Sequence, residues 1–500
     1  MLTGETPGPA DDRGLADTLR DVLLGADYTS AGVGAVLPAV RQGLRTRDLP
    51  LYDRQVPPSD PLRVLIRLWL LGLPVSEDDA GRALAPLDLR HLEEAHLLSV
   101  VDEVATSRAQ LLCVGDLLLF GDRDDAILEQ PGWVAASSPT AQLLDHLTVR
   151  RPVGSSLDVG CGSGMLALLA ARHSDRVTAA DLNPRAIAFT RLNARLNNAS
   201  RLDLRRGSWF EPVAGDQFDL IVSNPPFVVS PDSGLLFRDS PLPADDVSRM
   251  VATEAVPRLT EGGFAHVLCN WALREGEDWE DPPRRWLADA GCDALVLHFG
   301  TDDPMSYAAT WNAPLRSEDP SAFSETLDRW LDYYRRLGIT ALCAGAVVVR
   351  RRSGQDNWVR TLSLPLRPEE PAGDQVLRLF EGQDVLAALP SEDALRDATI
   401  RLVDRHEVRQ ILNHQGGGYH SHRCTVATTS GLRLAIEVEP DVLQVILRLD
   451  GSRTVADVVD DVAQQMGFDR AGLLGRTLPA IRELLRHGFV HFPDSAGRAG

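Results

Sequence analysis

Residues able to do chemistry concentrate in two stretches of the chain, LDVGCGSG at 157–164 and FDLIVSNPPF at 218–227. In the first, an apolar run breaks into glycines at Gly160, Gly162 and Gly164. Glycine adopts backbone dihedrals closed to other residues and lets a ligand approach the main chain, while the first amides of a following helix stay unpaired. The stretch predicts a strand, a ligand-binding turn and a helix start, although an ordinary strand-to-helix turn carries the same signature.

An acidic residue stands at the corresponding place after the next apolar run. Asp181 follows residues 176–180, and Asn183-Pro184 then opens a second helix. A carboxylate at the tip of the second strand can accept hydrogen bonds from both hydroxyls of a ribose. Asp181 alone could instead cap the helix. With the glycine turn beside it, a nucleoside cofactor is the better interpretation.

The spacing of the glycines indicates which cofactor this is. Glycines at every second position differ from the dinucleotide-binding fingerprint, whose third glycine falls one residue later to accommodate a pyrophosphate. S-adenosylmethionine fits this spacing better. We therefore predict S-adenosylmethionine as the cofactor, held by Asp158, Gly160, Gly162, Gly164 and Asp181.

The second stretch ends in a turn that two prolines make rigid. Asn224, Pro225, Pro226 and Phe227 directly follow the apolar strand predicted at 218–222. Asn224 precedes a proline and is pushed into an extended conformation, and the prolines fix the residues after it. In a doubly wound sheet the first and fourth strands are neighbours where the winding reverses. We therefore expect this turn to lie beside the glycine turn at the carboxyl edge of the sheet.

Residue types in this turn suit methyl transfer to a planar nitrogen. The lone pair of an amide or aniline-like NH2 is delocalised, so the group is a poor nucleophile. The side-chain oxygen of Asn224 and the carbonyl oxygen of Pro225 can accept its two N–H bonds and favour a pyramidal nitrogen. Phe227 offers a flat surface on which a planar group can stack. A sulfonium methyl donor is already activated, so the reaction needs positioning more than acid-base help.

From Ser155 to about Asp232 the chain resembles the class I S-adenosylmethionine-dependent N-methyltransferases, and among them the HemK type, which methylates the glutamine side-chain amide of translation release factors. Residues 207–210 read G-S-W-F, similar to that family's S-D-W-F, and 224–231 read N-P-P-F-V-V-S-P where the family has N-P-P-Y-V-V-T-P. The resemblance implies an α/β Rossmann-like fold with a seven-stranded mixed sheet. It also implies that Ser208, Trp209 and Asn224 contribute to the cofactor site.

Two departures from the family pattern bear on the substrate. Ser208 replaces the acid that usually holds the adenine amine, and Phe227 replaces the more usual tyrosine. The phenylalanine form is also common in methyltransferases that act on guanine of ribosomal RNA. A protein glutamine amide of the release-factor type is the favoured acceptor. The alternatives are an exocyclic amine of ribosomal or transfer RNA, and a modified peptide or natural product, or a module that only binds the cofactor.

Composition limits the class of protein. The 500 residues are 44% hydrophobic, enough for two or three globular domains. No apolar run is long enough to span a membrane, and residues 1–12 do not read as a secretory signal. The six cysteines have no paired spacing, so we expect buried thiols in a reducing cytoplasm. They are Cys113, Cys161, Cys269, Cys292, Cys343 and Cys424.

The charge balance argues against nucleic acid as a general partner. The net charge is −20, and affinity for nucleic acid depends largely on phosphate neutralisation. DNA is therefore disfavoured, whereas RNA would need a local basic groove. Candidate arginines for such a groove are Arg201, Arg205, Arg206 and the run 350–352, although short basic runs usually form solvated faces.

The pattern divides the chain into three parts. Residues 1–125 predict a helical or winged-helix-like module that ends in strands at 97–101 and 109–120. Residues 126–365 predict the methyltransferase domain, with Ile339 to Arg350 as its last, antiparallel strand. Residues 366–500 predict a winged-helix-like module, since the LDGSRTVADV turn resembles small peptide-binding domains of the PqqD kind.

In the C-terminal part, Leu395 to Leu412 is predicted to be helix-rich and Gln415 to Tyr419 to be a flexible break. Histidines gather around this break, but their intervals match no standard zinc site, so no metal is predicted. These residues are His406, His414, His420, His422 and Cys424.

Two further segments of the central part each admit two interpretations. Ser137, Ser138 and Pro139 either close over the methionine end of the cofactor or simply cap the next helix. The aromatic-rich insertion at 302–336 either extends a substrate wall or packs into a core. Core packing is favoured because the aromatic residues follow helical spacing.

Overall fold

The computed structural model describes residues 13–39, 48–127, 132–199, 201–232, 234, 238–239, 242–354, 356–389 and 391–493. The chain divides into two compact units. One comprises Met1–Leu144 with Val153–Leu362, and the other comprises Asp145–Pro152 with Ser363–Gly500. Within the described residues, no helix combines the length and the apolar character needed to cross a membrane.

The N-terminal part of the first unit is a set of short helices followed by two β-hairpins. Its helices are α1 (Arg13–Gly25), α2 (Ser30–Val36), α3 (Leu49–Gln55), α4 (Pro61–Leu65), α5 (Glu77–Leu84) and α6 (Leu89–Glu94), with a π-helix at Ile66–Leu71. Its strands are β1 (Val75–Ser76), β2 (Leu98–Val101), β3 (Val104–Ser107), β4 (Gln110–Val114) and β5 (Leu117–Gly121).

The single strand predicted at 109–120 is wrong, because the chain reverses there. Gly115 takes a left-handed φ of +60° and lets β4 and β5 pair as an antiparallel hairpin. Both strands are apolar, so alternation alone could not reveal the turn between them.

The rest of the first unit is a doubly wound α/β domain. Its helices are α7 (Pro139–Leu147), α8 (Met165–Ala170), α9 (Pro184–Leu196), α10 (Asp246–Ala255), α11 (Asp281–Leu287), α12 (Pro304–Trp311), α13 (Ala313–Glu318) and α14 (Pro320–Leu337). Its strands are β6 (Val153–Val159), β7 (Ser174–Asp181), β8 (Leu202–Arg206), β9 (Phe218–Ser223), β10 (Leu259–Arg274), β11 (Cys292–Asp302), β12 (Ile339–Arg351) and β13 (Val359–Ser363).

These strands form one mixed sheet in the order β13-β11-β12-β10-β9-β6-β7-β8. The five strands from β6 to β10 pair in parallel, and β12 runs antiparallel to both β10 and β11. The predicted Rossmann-like class and the antiparallel strand at 339–350 are confirmed. The sheet has eight strands rather than seven in the described residues, because the short, half-buried strand β13 adds an edge that its weak alternation did not signal.

The N-terminal hairpin joins this domain through side-chain amides. Asn193 on α9 accepts from the Phe120 amide and donates to its carbonyl, both at 2.8 Å. Asn197, one turn later, repeats this with Leu118 at 2.9 and 2.7 Å. The two asparagines thus satisfy backbone groups on the edge of β5 as a neighbouring strand would.

Within its described residues, the second unit contains four α-helices and two small sheets. The helices are α15 (Gly373–Ala388), α16 (Pro440–Ile446), α17 (Val455–Met466) and α18 (Arg470–Arg486). The sheets have the strand orders β18-β14-β19 and β15-β16-β17. The strands are β14 (Thr399–Leu402), β15 (His406–Gln415), β16 (Gly418–Thr428), β17 (Ala435–Val438), β18 (Asp450–Thr454) and β19 (Val490–His491).

One prediction for this unit is wrong, because the stretch 395–412 is mainly strand. The break predicted at 415–419 coincides with the tight turn of the hairpin that joins β15 to β16. Gly416 and Gly417, with φ of +59° and +86°, make that turn. Among the described residues, no group of His, Cys, Asp and Glu is placed to hold a metal, and the side chains of His420 and His422 lie outside that description.

Candidate cofactor and acceptor site

The glycine turn after β6 is tied to the end of β7. The amides of Gly160 and Cys161 donate to the Ala180 carbonyl at 2.8 and 3.1 Å. Gly160 and Gly162 have φ of +75° and +55°, and a Cβ on either would enter open space. Gly164 differs, since its Cβ would meet the Thr190 methyl at 2.7 Å. The first two glycines therefore leave room above the turn for a ligand, whereas the third lets α8 pack closely on α9.

Asp181 binds backbone amides on both sides of the ligand space. Its Oδ2 accepts from the Gly162 amide at 3.0 Å and its Oδ1 from the Asn183 amide at 2.8 Å. Burial raises the pKa of this carboxyl above its usual range, against the effect of these hydrogen bonds. Asn183, and not Asp181, caps α9, through a bond from the Arg185 amide. The capping alternative for Asp181 is thereby removed, and free lone pairs of its carboxylate remain for ribose hydroxyls.

Asp158 lies behind the turn and is 1% exposed. Its Oδ2 accepts from the Ala167 amide at 3.0 Å, so it anchors the first turns of α8. Its Oδ1 accepts no hydrogen bond from the residues that the structure describes. Burial, together with the nearby charge of Asp181, raises the pKa of Asp158 to about 7. The geometry gives Asp158 a supporting role beneath the predicted cofactor site.

The predicted adenine end lies next to Asp181. The Gly207 amide donates to the Asp181 carbonyl at 3.1 Å, which brings Ser208 to this edge. Trp209 follows with a left-handed φ of +48° and packs against the core. The sequence analysis did not single out Leu182, which is apolar yet 51% exposed beside Asp181. Its position after the predicted ribose carboxylate was the available signal, but only the structure shows its exposure.

The proline turn lies beside the glycine turn, as the strand order requires. Val159 and Ser223, the last residues of the neighbouring strands β6 and β9, are paired, and the Ser223 hydroxyl donates to the Val159 carbonyl at 2.9 Å. Asn224 Nδ2 donates to Thr140 Oγ1 at 3.2 Å. Neither Asn224 Oδ1 nor the Pro225 carbonyl oxygen accepts a hydrogen bond from any described residue. Two acceptors thus remain available within one turn.

The chain after the proline turn is clamped by the aromatic insertion. The Val229 amide donates to Tyr307 Oη at 3.1 Å, and Tyr334 Oη donates to the Val229 carbonyl at 2.8 Å. Asn270 Nδ2 on β10 also donates to Tyr307 Oη, at 2.7 Å. Phe227 meets Trp311 edge to face, with ring centroids 6.0 Å apart.

The aromatic residues of the insertion at 302–336 pack into a core, in agreement with the favoured interpretation. Two of them also hold the chain directly after the predicted acceptor turn. Tyr307, Trp330 and Tyr334 are all buried. Sequence reasoning noted these aromatics but missed that two of them bind the backbone of Val229, since nothing within either segment links them. Asn270 and Thr140 were missed for the same reason.

The segment before α7 passes over the starts of α8 and α9. The Ala136 carbonyl accepts from Ser163 Oγ at 2.8 Å, and the Gly132 carbonyl accepts from Asn183 Nδ2 at 2.9 Å. Ser138 Oγ accepts from the Ala141 amide at 3.0 Å, so Ser138 caps α7, and this supports the capping interpretation. A buried ion pair between Asp122 and Arg185 holds the beginning of the segment against α9.

Three of the arginines considered for an RNA groove form ion pairs within the protein, namely Arg205, Arg350 and Arg352. Arg205 pairs with Asp203 at 2.7 Å and Asp216 at 2.6 Å. Arg350 and Arg352 pair with the buried Asp293 at 2.6 and 3.1 Å. These guanidinium groups therefore bind carboxylates of the protein itself.

All six cysteines are free thiols, of which five are buried and Cys113 is half-buried. Cys161 lies inside the glycine turn, where burial raises the pKa of its thiol, and its Sγ is 3.4 Å from Thr190 Oγ1. Burial also raises the pKa of Cys113, Cys269 and Cys292 to about 12 and that of Cys343 to about 11. Cys161 is a small side chain that fits a crowded turn, and not a reactive thiolate.

Together these features fit a nucleoside methyl donor. The open space above Gly160 and Gly162, the carboxylate of Asp181 and the exposed Leu182 offer a backbone cradle, a ribose acceptor and an apolar contact. The fold is the Rossmann-like fold of class I methyltransferases, and the loops of the first and fourth strands of the domain meet at the edge where the sheet reverses its winding.

Comparison with known proteins supports this class. Residues 135–270 match the family model of the methyltransferase small domain. Residues 25–110 and 378–492 each match a domain of unknown function (DUF7059 and DUF7782). Part of the chain is similar to release factor glutamine methyltransferases. That of Xylella fastidiosa strain Temecula1 is 35% identical over 161 residues, which are 31% of this chain and 57% of the relative.

The release factor glutamine methyltransferase of Aliivibrio fischeri is 40% identical over 95 residues, which cover 18% of this chain and 33% of the relative. The chain therefore spans about a third to somewhat over half of these relatives. A solved methyltransferase from Pyrococcus furiosus is 16% identical, covers 44% of this chain and 85% of its own, and has a TM-score of 0.27. A TM-score this low carries no argument about the fold.

Proposed function

We propose that this protein transfers the methyl group of S-adenosylmethionine to a planar nitrogen, and that the acceptor is a glutamine side-chain amide of a protein of the release-factor type. The observation that carries the proposal is the pair of available acceptors in one rigid turn, Asn224 Oδ1 and the Pro225 carbonyl oxygen. The turn lies at the sheet edge shared with the glycine turn.

Each group has a defined task in this proposal. Asp181 and the main chain of Gly160 and Gly162 would hold the cofactor, which when bound supplies an electrophilic methyl group on a sulfonium. Asn224 and Pro225 would accept the two N–H bonds of the substrate amide and orient its nitrogen. Phe227 would stack on the planar group. One proton of the NH2 group leaves to water as the new N–C bond replaces the S–C bond.

Two observations favour a protein over RNA. The relatives named above are release factor glutamine methyltransferases, and residues 135–270, which carry both turns, match the methyltransferase small domain. Three of the arginines considered for a phosphate-binding groove, Arg205, Arg350 and Arg352, are paired with carboxylates of the protein. Phe227, which is also common in methyltransferases of ribosomal RNA guanine, is the feature that keeps RNA as the competing acceptor.

Transfer of tritium from labelled cofactor tests the proposal directly. Purified release factors and purified ribosomal RNA are offered separately to the full-length protein. We expect label in the release factors, at a glutamine identified by mass spectrometry of the digested product. Label in RNA alone would replace the protein acceptor with an exocyclic amine, and no label in either would overturn the assignment of both acceptors.

A further inference from the structure

The predicted acceptor residue has a partner far away in the chain. Asn224 Nδ2 donates to Thr140 Oγ1 at 3.2 Å, across 84 positions of sequence. Thr140 lies in the first turn of α7, and both side chains are half-buried. No other hydrogen bond to the Asn224 side chain is formed within the part of the chain that the structure describes.

The proposed function depends on which end of the Asn224 side-chain amide points toward the substrate, and this contact affects that orientation. A side-chain amide has an accepting end and a donating end of nearly the same shape, and rotation about its last torsion exchanges them. With Oδ1 toward the acceptor space, Asn224 accepts an N–H bond from the substrate. With the amide reversed, its NH2 group would face the NH2 group of the substrate, and the two donors would repel each other.

The hydroxyl of Thr140 is suited to distinguish these orientations. It lies 3.0 Å from Ser138 Oγ, which already accepts from the Ala141 amide at 3.0 Å. A hydroxyl carries one proton and two lone pairs. Either hydroxyl can donate in the contact between Thr140 and Ser138. When Thr140 donates, it presents a lone pair to Asn224, and only the Nδ2 end of the amide satisfies that lone pair.

The start of α7 is itself fixed to the glycine turn. Ser137 Oγ is 3.2 Å from the sulfur of Met165, the first residue of α8, and it accepts from Gln142 Nε2 at 3.1 Å. Ser163 Oγ binds the Ala136 carbonyl at 2.8 Å. Thr140 is therefore held in place relative to both predicted halves of the site.

We infer that Thr140 is a positioning residue, which orients the Asn224 amide so that Oδ1 faces the acceptor nitrogen. This inference rests on the proposed function and adds to it a specific dependence on the Thr140 hydroxyl. Thr140 acts through Asn224 and needs no contact with the methyl group or the acceptor.

Removing the hydroxyl while keeping the shape tests this role. Thr140→Val keeps the branched side chain, and Thr140→Ser keeps the hydroxyl. For methylation of a purified release factor, we expect Thr140→Val to lower kcat about tenfold, as the loss of one orienting hydrogen bond does. Thr140→Ser should restore most of that loss. The KM for the cofactor and the calorimetric Kd for S-adenosylhomocysteine should stay within about twofold of wild type, because in the proposed function Asp181 and the glycine turn hold the nucleoside and Thr140 acts only on the orientation of the Asn224 amide.

Thr253→Val is the matched control. Its hydroxyl bonds to the Arg249 carbonyl on the exposed face of α10, so it loses the same group without touching Asn224. We expect wild-type kcat and thermal stability from this variant. A Thr140→Val protein with wild-type kcat overturns the inference and leaves the proposed function intact. A loss that Thr140→Ser does not restore, or that equally lowers Tm and S-adenosylhomocysteine binding, also overturns it, since the role would be structural.

Failure of the proposed function looks different from either result. In that case the wild-type protein itself transfers no label to the release factor. The inference then falls together with the function on which it rests.

Discussion

The two halves of the candidate site are built in different ways. The cofactor half is held by neighbours in sequence and by one adjoining strand, as in the bonds from the Gly162 and Asn183 amides to Asp181. The acceptor half is held from a distance, with Asn224 fixed by Thr140 across 84 positions and Val229 by Tyr307 and Tyr334 across 78 and 105.

This difference has a physical basis. A nucleoside is bound largely by main-chain groups, whose positions follow from strand ends, glycines and helix starts. An acceptor must be aligned within a fraction of an ångström, and a turn with two available acceptors and no local partner needs support from other elements. We therefore expect substitutions in the cofactor half to change affinity and substitutions in the acceptor half to change rate.

The largest effect is expected from Asn224→Ala. Removing one preorganised acceptor should lower kcat by about a hundredfold or more. The Kd for S-adenosylhomocysteine, measured by calorimetry, should change less than about twofold. Unchanged turnover would refute the catalytic role of Asn224, and a parallel loss of cofactor binding would remove the distinction between the two halves.

Gly162→Ala should change the affinity for the cofactor rather than the rate. Its Cβ would enter the open space above the turn, so we expect the Kd for S-adenosylhomocysteine to rise about thirtyfold, in line with typical overpacking costs. Gly115→Ala is the matched control, because Gly115 has a similar φ of +60° and an equally open Cβ direction in the β4–β5 turn. Both variants carry the left-handed strain, of about 1 kcal/mol. Equal S-adenosylhomocysteine affinity in the two variants would show that no ligand occupies the space above Gly162.

Asp158→Asn tests the burial of Asp158, in the cofactor half, through the pH dependence of the free energy of unfolding. Burial raises the pKa of Asp158 to about 7, above its unfolded value, so its contribution to stability is present at low pH and is lost as pH rises through about 7. The free energy of unfolding of Asp158→Asn relative to wild type should therefore increase by about 1–2 kcal/mol between about pH 5 and pH 8. Chemical denaturation at a series of pH values measures this.

Asp88→Asn serves as the control in that series. The Arg90 guanidinium lowers the pKa of this exposed carboxyl, so its variant should show no such increase over the same range. A flat profile for Asp158→Asn would mean that Asp158 is ionised and solvated in the folded protein.

Tyr307→Phe should give the smallest effect. It deletes the hydroxyl shared by the Val229 amide and Asn270, so we expect kcat to fall about fivefold and stability by about 1 kcal/mol. Tyr333→Phe is the control, since the Tyr333 hydroxyl accepts from the Ala244 amide and contacts neither Asn224 nor Val229. If both variants lower kcat alike, the clamp on Val229 has no particular part in positioning the turn.

Much of the central fold could be predicted because its signals are local. Apolar strands that end in glycines at 160–164 and in prolines at 225–226 constrain the backbone within a few residues, and the sheet edge follows from the winding rule. The errors fell where tertiary pairing decided the outcome. These were the turn at Gly115, the edge strand β13 and the hairpin at 406–428.

The sequence by itself determined the identity of the groups at the site: glycines without side chains, a carboxylate at a strand end, and an asparagine locked before two prolines. Only the tertiary structure decided that the Nδ2 end of the Asn224 amide binds Thr140, that Gly164 serves packing, and that Leu182 is exposed. The reason is that dihedral constraints act between neighbours in the chain. The orientation of a side chain depends on partners that folding brings from distant segments.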